Sequence, residues 1–230
     1  MPELLDAYTP PDFALRVLDG SALWIEEGAL VAELSAELEP LSGELEGTGV
    51  VQRRIDTRRG KADHFKFQLP EAAQGAGRGR WVLRASVELY QALGITEIGL
   101  TAVDKGKYVW AAAGFAFATE ESRGEVLDGI EFAAELLGIS LADLEPDRIE
   151  PWQIAFMPPA DDFTIRDALE ALDPEGLEAV RDQADNLGEP LDRPGKVLLL
   201  ADEVPGWQGH LDLRPSDDNP GLEYLYAYTD

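Results

Sequence analysis

The sequence contains no cysteine and only two histidines, His64 and His210, in 230 residues. Without thiols there is no disulfide framework, no thiolate zinc site and no cysteine nucleophile, and two imidazoles leave little for a histidine metal centre, so no metal is expected. Positive charge is also scarce, since 19 Lys and Arg stand against 45 Asp and Glu for a formal net charge of -26. A chain this acidic repels phosphate backbones, and general nucleic-acid binding is not expected. Long apolar runs are missing too. None approaches the roughly 20 residues that cross a bilayer, and the start, MPELLDAYTPPDF, lacks the basic-then-apolar order of a signal peptide. These absences predict a cytoplasmic protein with no membrane partner.

What is present suffices for a core: 45% of residues are hydrophobic, as in ordinary globular chains. Most of the positive charge falls between Arg53 and Lys107, with Arg53, Arg54, Arg58, Arg59 and Lys61 close together and Arg78, Arg80 and Arg84 further on. Two readings of this imbalance stand side by side. Acidity serves solubility, or the acidic surface attracts a cationic substrate while the basic island receives an anion.

Residues 29–38, ALVAELSAEL, alternate in part between apolar and polar, and VVQRRID reads as the next strand after the turn-like SGELEGTG. RRGK makes a basic turn. HFKFQLP then alternates with Phe65, Phe67 and Leu69 on one face and His64, Lys66 and Gln68 on the other, which predicts a half-buried strand. From Trp81, Val82, Ala85, Ser86, Leu89 and Leu93 recur at helical spacing beside a stripe of Leu83, Val87 and Tyr90, and Gly94 supplies a stop. ITEIGLTAV reads as a strand, KYVWAAAG as a short helix and FAFAT as a strand. The order predicts an α+β (α/β) fold with a mixed sheet, in which the strand–helix–strand unit at 63–103 makes a parallel crossover.

The second half has a different texture. Ser122 and Glu125 form a capping-box pair, Thr164 caps IRDALEAL, and Asp173-Pro174 opens a helix ending near Gly188. KVLLLADE reads as a buried strand, with HLDLRP and LEYLYAYT as strands after it, and PWQIAFMPPADDF as an irregular connection. The expected organisation is a core over 1–120, then a helical insert and returning strands over 121–230, packed as one compact unit.

The stretch QGAGRG, residues 74–79, sits between strand and helix. It fails as a P-loop, because Gly79 is followed by Arg80 and Trp81, and nothing supplies the magnesium hydroxyl. It fits a dinucleotide fingerprint poorly, because after Gly75 and Gly77 the third glycine falls at 79 instead of 80. Gln74, Gly77 and Gly79 do fit (Gln/Arg)xxGx(Gly/Ala). In that pattern and its surroundings the chain resembles the GCN5-related N-acetyltransferase (GNAT) superfamily: Phe67-Gln68-Leu69-Pro70 is similar to the family's strand four, 80–93 to the following helix, ITEIGLTAV to strand five, and KYVWAAAGF to the short helix ending in Gly-Phe. The resemblance covers about half the chain. GKYVWAAAGFAF also resembles a divergent variant of the fold associated with bacterial and phage-encoded toxin-type or head-associated proteins.

The resemblance implies a GNAT-like twisted mixed sheet with flanking helices, carrying a helical insertion in its C-terminal half. It implies an acyl-coenzyme A dependent N-acyltransferase, with acetyl-CoA as co-substrate and an amine or protein as acceptor. Gln74, Gly75, Ala76, Gly77, Arg78, Gly79 and Arg80 would hold the pyrophosphate, through backbone N–H groups at a helix N-terminus. The pantetheine arm would lie along Phe67 to Leu69. The family's tyrosine that protonates the departing thiolate is replaced here by Trp110, whose indole is no general acid, which leaves Tyr108 for that role, with Glu71 or His64 as base. These departures keep open a catalytically inactive GNAT-like module that binds a partner or ligand. Asp161, Asp162, Asp202 and Glu203 could select a cationic acceptor, and Asp217-Asp218 with Asp161-Asp162 lack the spacing of a calcium loop.

Overall fold

The computed structural model describes residues 8–10, 12–42, 46–70, 73–74, 77–137, 141, 149–157, 194–214 and 220–227. Glu71, Gly75, Ala76, Asp161, Asp162, Asp217, Asp218 and the helices expected between Thr164 and Gly188 lie outside the described residues. The described elements are β1 (Phe13–Val17), β2 (Ala22–Glu26), β3 (Ala29–Pro40), β4 (Gly49–Asp56), β5 (Lys61–Gln68), α1 (Arg78–Ala92), β6 (Glu97–Ala102), α2 (Gly106–Ala112), β7 (Ala116–Phe117), α3 (Glu120–Leu137), α4 (Pro151–Ala155), α5 (Pro194–Leu200), β8 (Trp207–Asp212) and α6 (Pro220–Ala227). The strands form an open mixed sheet ordered β1-β3-β4-β5-β6-β8-β7, with β2 also paired to β3. β5 and β6 are parallel, whereas β3 pairs antiparallel with β1, β2 and β4, β4 with β5, and β7 with β8. This is the mixed α+β class that the order of periodicities predicts, with β1 and β2 as additions. By internal contacts the chain divides into one unit of Met1–Leu100 with Leu211–Asp230 and a second of Thr101–His210.

In the first unit, turn chemistry explains the hairpins. Glu27 and Gly28 have φ of 50° and 84° between the paired Glu26 and Ala29, two successive left-handed residues as a two-residue hairpin with the sheet's own twist requires. Between β4 and β5, the Asp56 carboxylate accepts the N–H groups of Arg58 and Arg59 at 3.1 Å each, and Gly60 closes the turn at φ 62°. α1 buries Val82, Leu83, Ser86, Val87 and Tyr90, so the stripe that carries Tyr90 is the deeper of the two expected ones. Gly94 does stop it: at φ 74° it donates to the Gln91 carbonyl (3.1 Å), and Ile95 donates to Tyr90 (2.9 Å). Arg84 reaches from α1 to the Leu225 carbonyl at the end of α6 (2.8 and 3.1 Å).

One expectation inverts. Phe65 is 66% exposed while Ala62 and His64 are buried, because a bulge interrupts the β4–β5 ladder. His64 pairs Arg53 and Lys66 pairs Gln52, leaving Phe65 as the extra residue. An extra residue resets side-chain parity and bends the strand, which period-two reading cannot foresee.

In the second unit, α5 packs on α2, α3 and α4, and every one of its residues is buried. Residues 196–200 of the run KVLLLADE, expected as a strand, are therefore helical, with Pro194 in the first turn. Residues 222–227 of LEYLYAYT, in the first unit, likewise belong to the helix α6, and PWQIAFMPPADDF, expected as an irregular connection, begins with the helix α4 over Pro151–Ala155. Continuous apolar runs suit either a buried strand or a buried helix, and the prolines at the starts are the helix signal. Residues 210–212 of HLDLRP fall on β8, as expected. Thr119 caps α3 by accepting the Ser122 N–H at 3.1 Å, so Ser122 lies inside the first turn, where its hydroxyl accepts the Gln208 N–H at 3.0 Å. Glu150 ties three elements: it accepts from Arg123 of α3 (2.6 Å) and the Phe117 N–H of β7 (3.0 Å), and it starts α4 through a capping box with Gln153.

Candidate functional site

The strand-to-helix corner β5–α1 is built from backbone. Pro70 accepts the Ala73 N–H at 2.9 Å, and the Gln74 side-chain amide donates to the Leu69 carbonyl at 2.9 Å, tying the loop to the strand's end. Gly77 is the residue before α1, with φ 72°, so glycine is required there by backbone conformation. Gly79 differs: a Cβ there would sit 3.5 Å from the Phe67 ring, an ordinary contact, so packing does not demand glycine. Among the described residues no side chain caps the first turn of α1, which holds no acidic residue and carries Arg78 and Arg80. Uncapped N–H groups and the helix dipole favour an anion at such an end.

The side-chain cations nearby are mostly committed. Arg78 bonds Asp12 through Nη2 (2.9 Å) and Nε (3.3 Å). In the basic island Arg58 pairs Glu27 at 2.7 Å, Arg54 approaches Glu33 at 3.9 Å, and Lys61 meets Asp63 and Glu97 at 3.5 and 3.2 Å. Backbone donors, more than free side-chain charge, are what this corner offers.

Behind β5 lies a polar cluster that sequence reasoning missed. Arg53, 2% exposed, donates from Nη1 to the Gln52 carbonyl (2.9 Å) and to the Lys66 carbonyl (2.5 Å) beyond the bulge. Its guanidinium lies over the rings of Phe67 (5.5 Å) and Tyr8 (6.0 Å). His64 Nε2 bonds the Tyr90 hydroxyl at 2.9 Å, and Tyr90 in turn bonds Tyr8. Burial holds His64 well below its usual pKa, with Arg53 adding to the shift, and pushes Tyr90 up to about 12; Tyr8 is raised well by burial. Burial also lowers Arg53, against the tyrosines, which favour its charge. The cluster is thus a neutral imidazole and two neutral phenols around one cation. A signal was available: Val51, Arg53 and Ile55 share one parity of β4, and the flanking two are apolar.

The expected site residues fall as follows. Phe67, Leu69, Gln74, Gly77, Arg78, Gly79 and Arg80 gather at the β5–α1 corner of the first unit. His64 lies on the same strand but is 5% exposed and turned to Tyr90 of α1. Tyr108 belongs to the second unit, on α2, where it is 7% exposed with the fully buried Lys196 ammonium 5.3 Å from its ring centre. Trp110, also on α2, meets Phe115 edge-on at 5.4 Å. Lys107 on that helix is spent on the carbonyls of Ala201 and Val204 (2.9 and 2.7 Å). Among the described residues no group of three or more His, Asp or Glu is placed to hold a metal ion, and no helix is long and apolar enough to cross a membrane. Comparison with family models, with curated proteins and with solved structures yields no match.

Proposed function

We propose that this chain is an acyl-coenzyme A dependent N-acyltransferase of the GNAT type, using acetyl-CoA and an amine acceptor. The reading is carried by the first turn of α1: uncapped, free of acid, entered through a left-handed glycine, and followed by a Gly79 that packing does not require. A pyrophosphate bound there would use backbone N–H groups, and a missing side chain at 79 would let it approach. The turn follows a strand whose parallel register with β6 runs from Lys61↔Glu97 to His64↔Leu100, with the bulge directly after it. Such a bend is where the pantetheine arm could take the backbone of residues 66–68 as its partner.

In the reaction the amine nitrogen attacks the thioester carbonyl, the C–N bond forms and the C–S bond breaks. The amine's proton passes to a base, and the thiolate takes one up on leaving. By the resemblance Glu71 is the candidate base; His64 is 5% exposed and bonded to Tyr90, which closes it to an incoming amine. A module that binds the coenzyme without transfer is the second reading. It is favoured by Trp110 at the family's tyrosine position and by the burial of Tyr108.

Calorimetry with acetyl-CoA tests the first reading, on the native protein and on Gly79→Glu. Glutamate in a first helical turn is compatible with the dipole, so folding should persist while like charge repels the pyrophosphate. The expected result is micromolar binding by the native protein, weakened at least about thirtyfold, or 2 kcal/mol, in the variant. No saturable binding by the native protein would sink the reading. If binding holds, release of free thiol from acetyl-CoA in the presence of simple amines separates transferase from module.

A further inference from the structure

We propose that Arg53 is the positioning residue of the coenzyme-binding strand, holding β5 beyond its bulge in the form that the pantetheine arm pairs with. The inference rests on the acyltransferase reading above. A bulge leaves one residue unpaired and the following chain free to bend. Here Arg53 stands opposite His64, the last regular pair before the extra residue Phe65, and its Nη1 reaches across to the carbonyl of Lys66, the first residue after it. The same guanidinium lies 5.5 Å from the centre of the Phe67 ring. The same ring is what a Cβ at Gly79 would touch at 3.5 Å. Arg53 therefore supports both the strand segment 66–68 and, through Phe67, the first turn of α1.

Stability is a poor reason for this arginine. Among the described residues no carboxylate pairs with it; its charge is met by two carbonyls, two aromatic faces and the tyrosine hydroxyls. Its Nε is buried without a hydrogen-bond partner. A buried cation in such surroundings is commonly matched or bettered in stability by an apolar side chain of similar volume. What an apolar residue cannot do is grip the Lys66 carbonyl and fix the bulge. Lysine keeps the charge and a donor for the carbonyls, which Nη1 alone bonds here, but loses the planar guanidinium that lies over the Phe67 ring.

The test compares the native protein with Arg53→Met and Arg53→Lys. Three quantities are read: melting temperature, calorimetric Kd for acetyl-CoA and for ADP, and amide hydrogen exchange along β5. ADP carries the pyrophosphate but no arm. In Arg53→Met, acetyl-CoA should weaken about tenfold or more and ADP by less than about threefold, with the melting temperature kept or raised. Exchange should accelerate at Lys66, Phe67 and Gln68 and not at Ala62 to His64, and Arg53→Lys should recover part of the loss. Equal losses for both ligands with a lowered melting temperature would make Arg53 a structural residue only. Unchanged acetyl-CoA affinity, or unchanged exchange at 66–68, would overturn the proposal. If the native protein binds no acetyl-CoA, the functional reading falls, and the exchange pattern still decides whether Arg53 sets the strand. Should Arg53→Met fail to fold, Arg53→Lys carries the same comparison.

Discussion

The imidazole of His64 is closed in between Tyr90 and Arg53, and burial holds its pKa well below 6.5. The consequence for stability has a definite sign. A depressed histidine stays neutral in the native state, while the unfolded chain takes up a proton once the pH drops below about 6.5. The unfolded state then binds more protons, so stability is fully present above that pH and is lost as pH falls towards the folded pKa, by about 1.4 kcal/mol per pH unit. His64→Gln keeps a hydrogen-bonding partner for Tyr90 and removes the titration. Urea unfolding at several pH values between 6.5 and 5 should show a steeper fall for the native protein than for the variant; parallel curves would mean that His64 titrates normally. Residue-level reading of the sequence found this strand and placed His64 on it, but put the imidazole on the polar face. The bulge at Phe65 is the reason, because nothing in HFKFQLP marks where a strand takes up an extra residue. Arg53 was equally visible as a letter and was counted with a basic surface, although its parity with Val51 and Ile55 pointed inward.

At the scale of elements, the helices of the second unit fit through glycine. A Cβ on Gly195 of α5 would overlap the Ile154 carbonyl of α4, and Met157 Cβ stands 3.3 Å away. Backbone is what the added methyl would meet, and backbone at a helix crossing cannot yield as a side-chain end does. Gly195→Ala should therefore cost about 3 kcal/mol or more, read as a lowered denaturation midpoint. Gly124→Ala, in the body of α3 with open space at its Cβ, should leave stability unchanged or raise it by up to about 1 kcal/mol. Equal effects at the two positions would contradict the close packing of α5 on α4. Local signals served well where period and punctuation agree: β3, β4, β5, α1 with its Gly94 stop, β6, α2 and β7 occur in the predicted order. They failed at KVLLLADE and LEYLYAYT, where nearly every position of the element is apolar or aromatic and period carries no information. There Pro194 and Pro220, each at a helix's first position, were the better guide. At the candidate site the left-handed turn at Gly77 was legible because turn chemistry is local. The cluster of Tyr8, Arg53, His64 and Tyr90 was not, because it joins residues up to 82 apart in sequence.

For the whole molecule, the net charge of -26 is the dominant electrostatic fact. Two effects of salt oppose each other. Screening weakens the surface pairs Arg16–Glu37, Arg16–Glu39, Arg58–Glu27 and Lys61–Glu97, whose side chains are partly to largely exposed. Exposed pairs contribute about 0–1 kcal/mol each, so little is lost. Screening also relieves the repulsion among 45 acidic side chains facing 19 basic ones, which the compact state concentrates and the unfolded chain spreads out. Because the Debye length falls from tens of ångströms to a few between roughly 0.02 M and 0.5 M NaCl, the second effect extends over the whole surface while the first is confined to a few pairs. The melting temperature should accordingly rise by several degrees across that range, and sodium chloride, unlike sulfate, adds little general salting-out to confuse the reading. A melting temperature that falls with salt would assign stability to the ion pairs instead. If acetyl-CoA binds as proposed, its affinity should fall little or even rise across the same range, because salt also screens the acidic chain from the anionic coenzyme, Arg54, Arg58 and Lys61 are already matched to carboxylates, and the donors at the β5–α1 corner are backbone N–H groups.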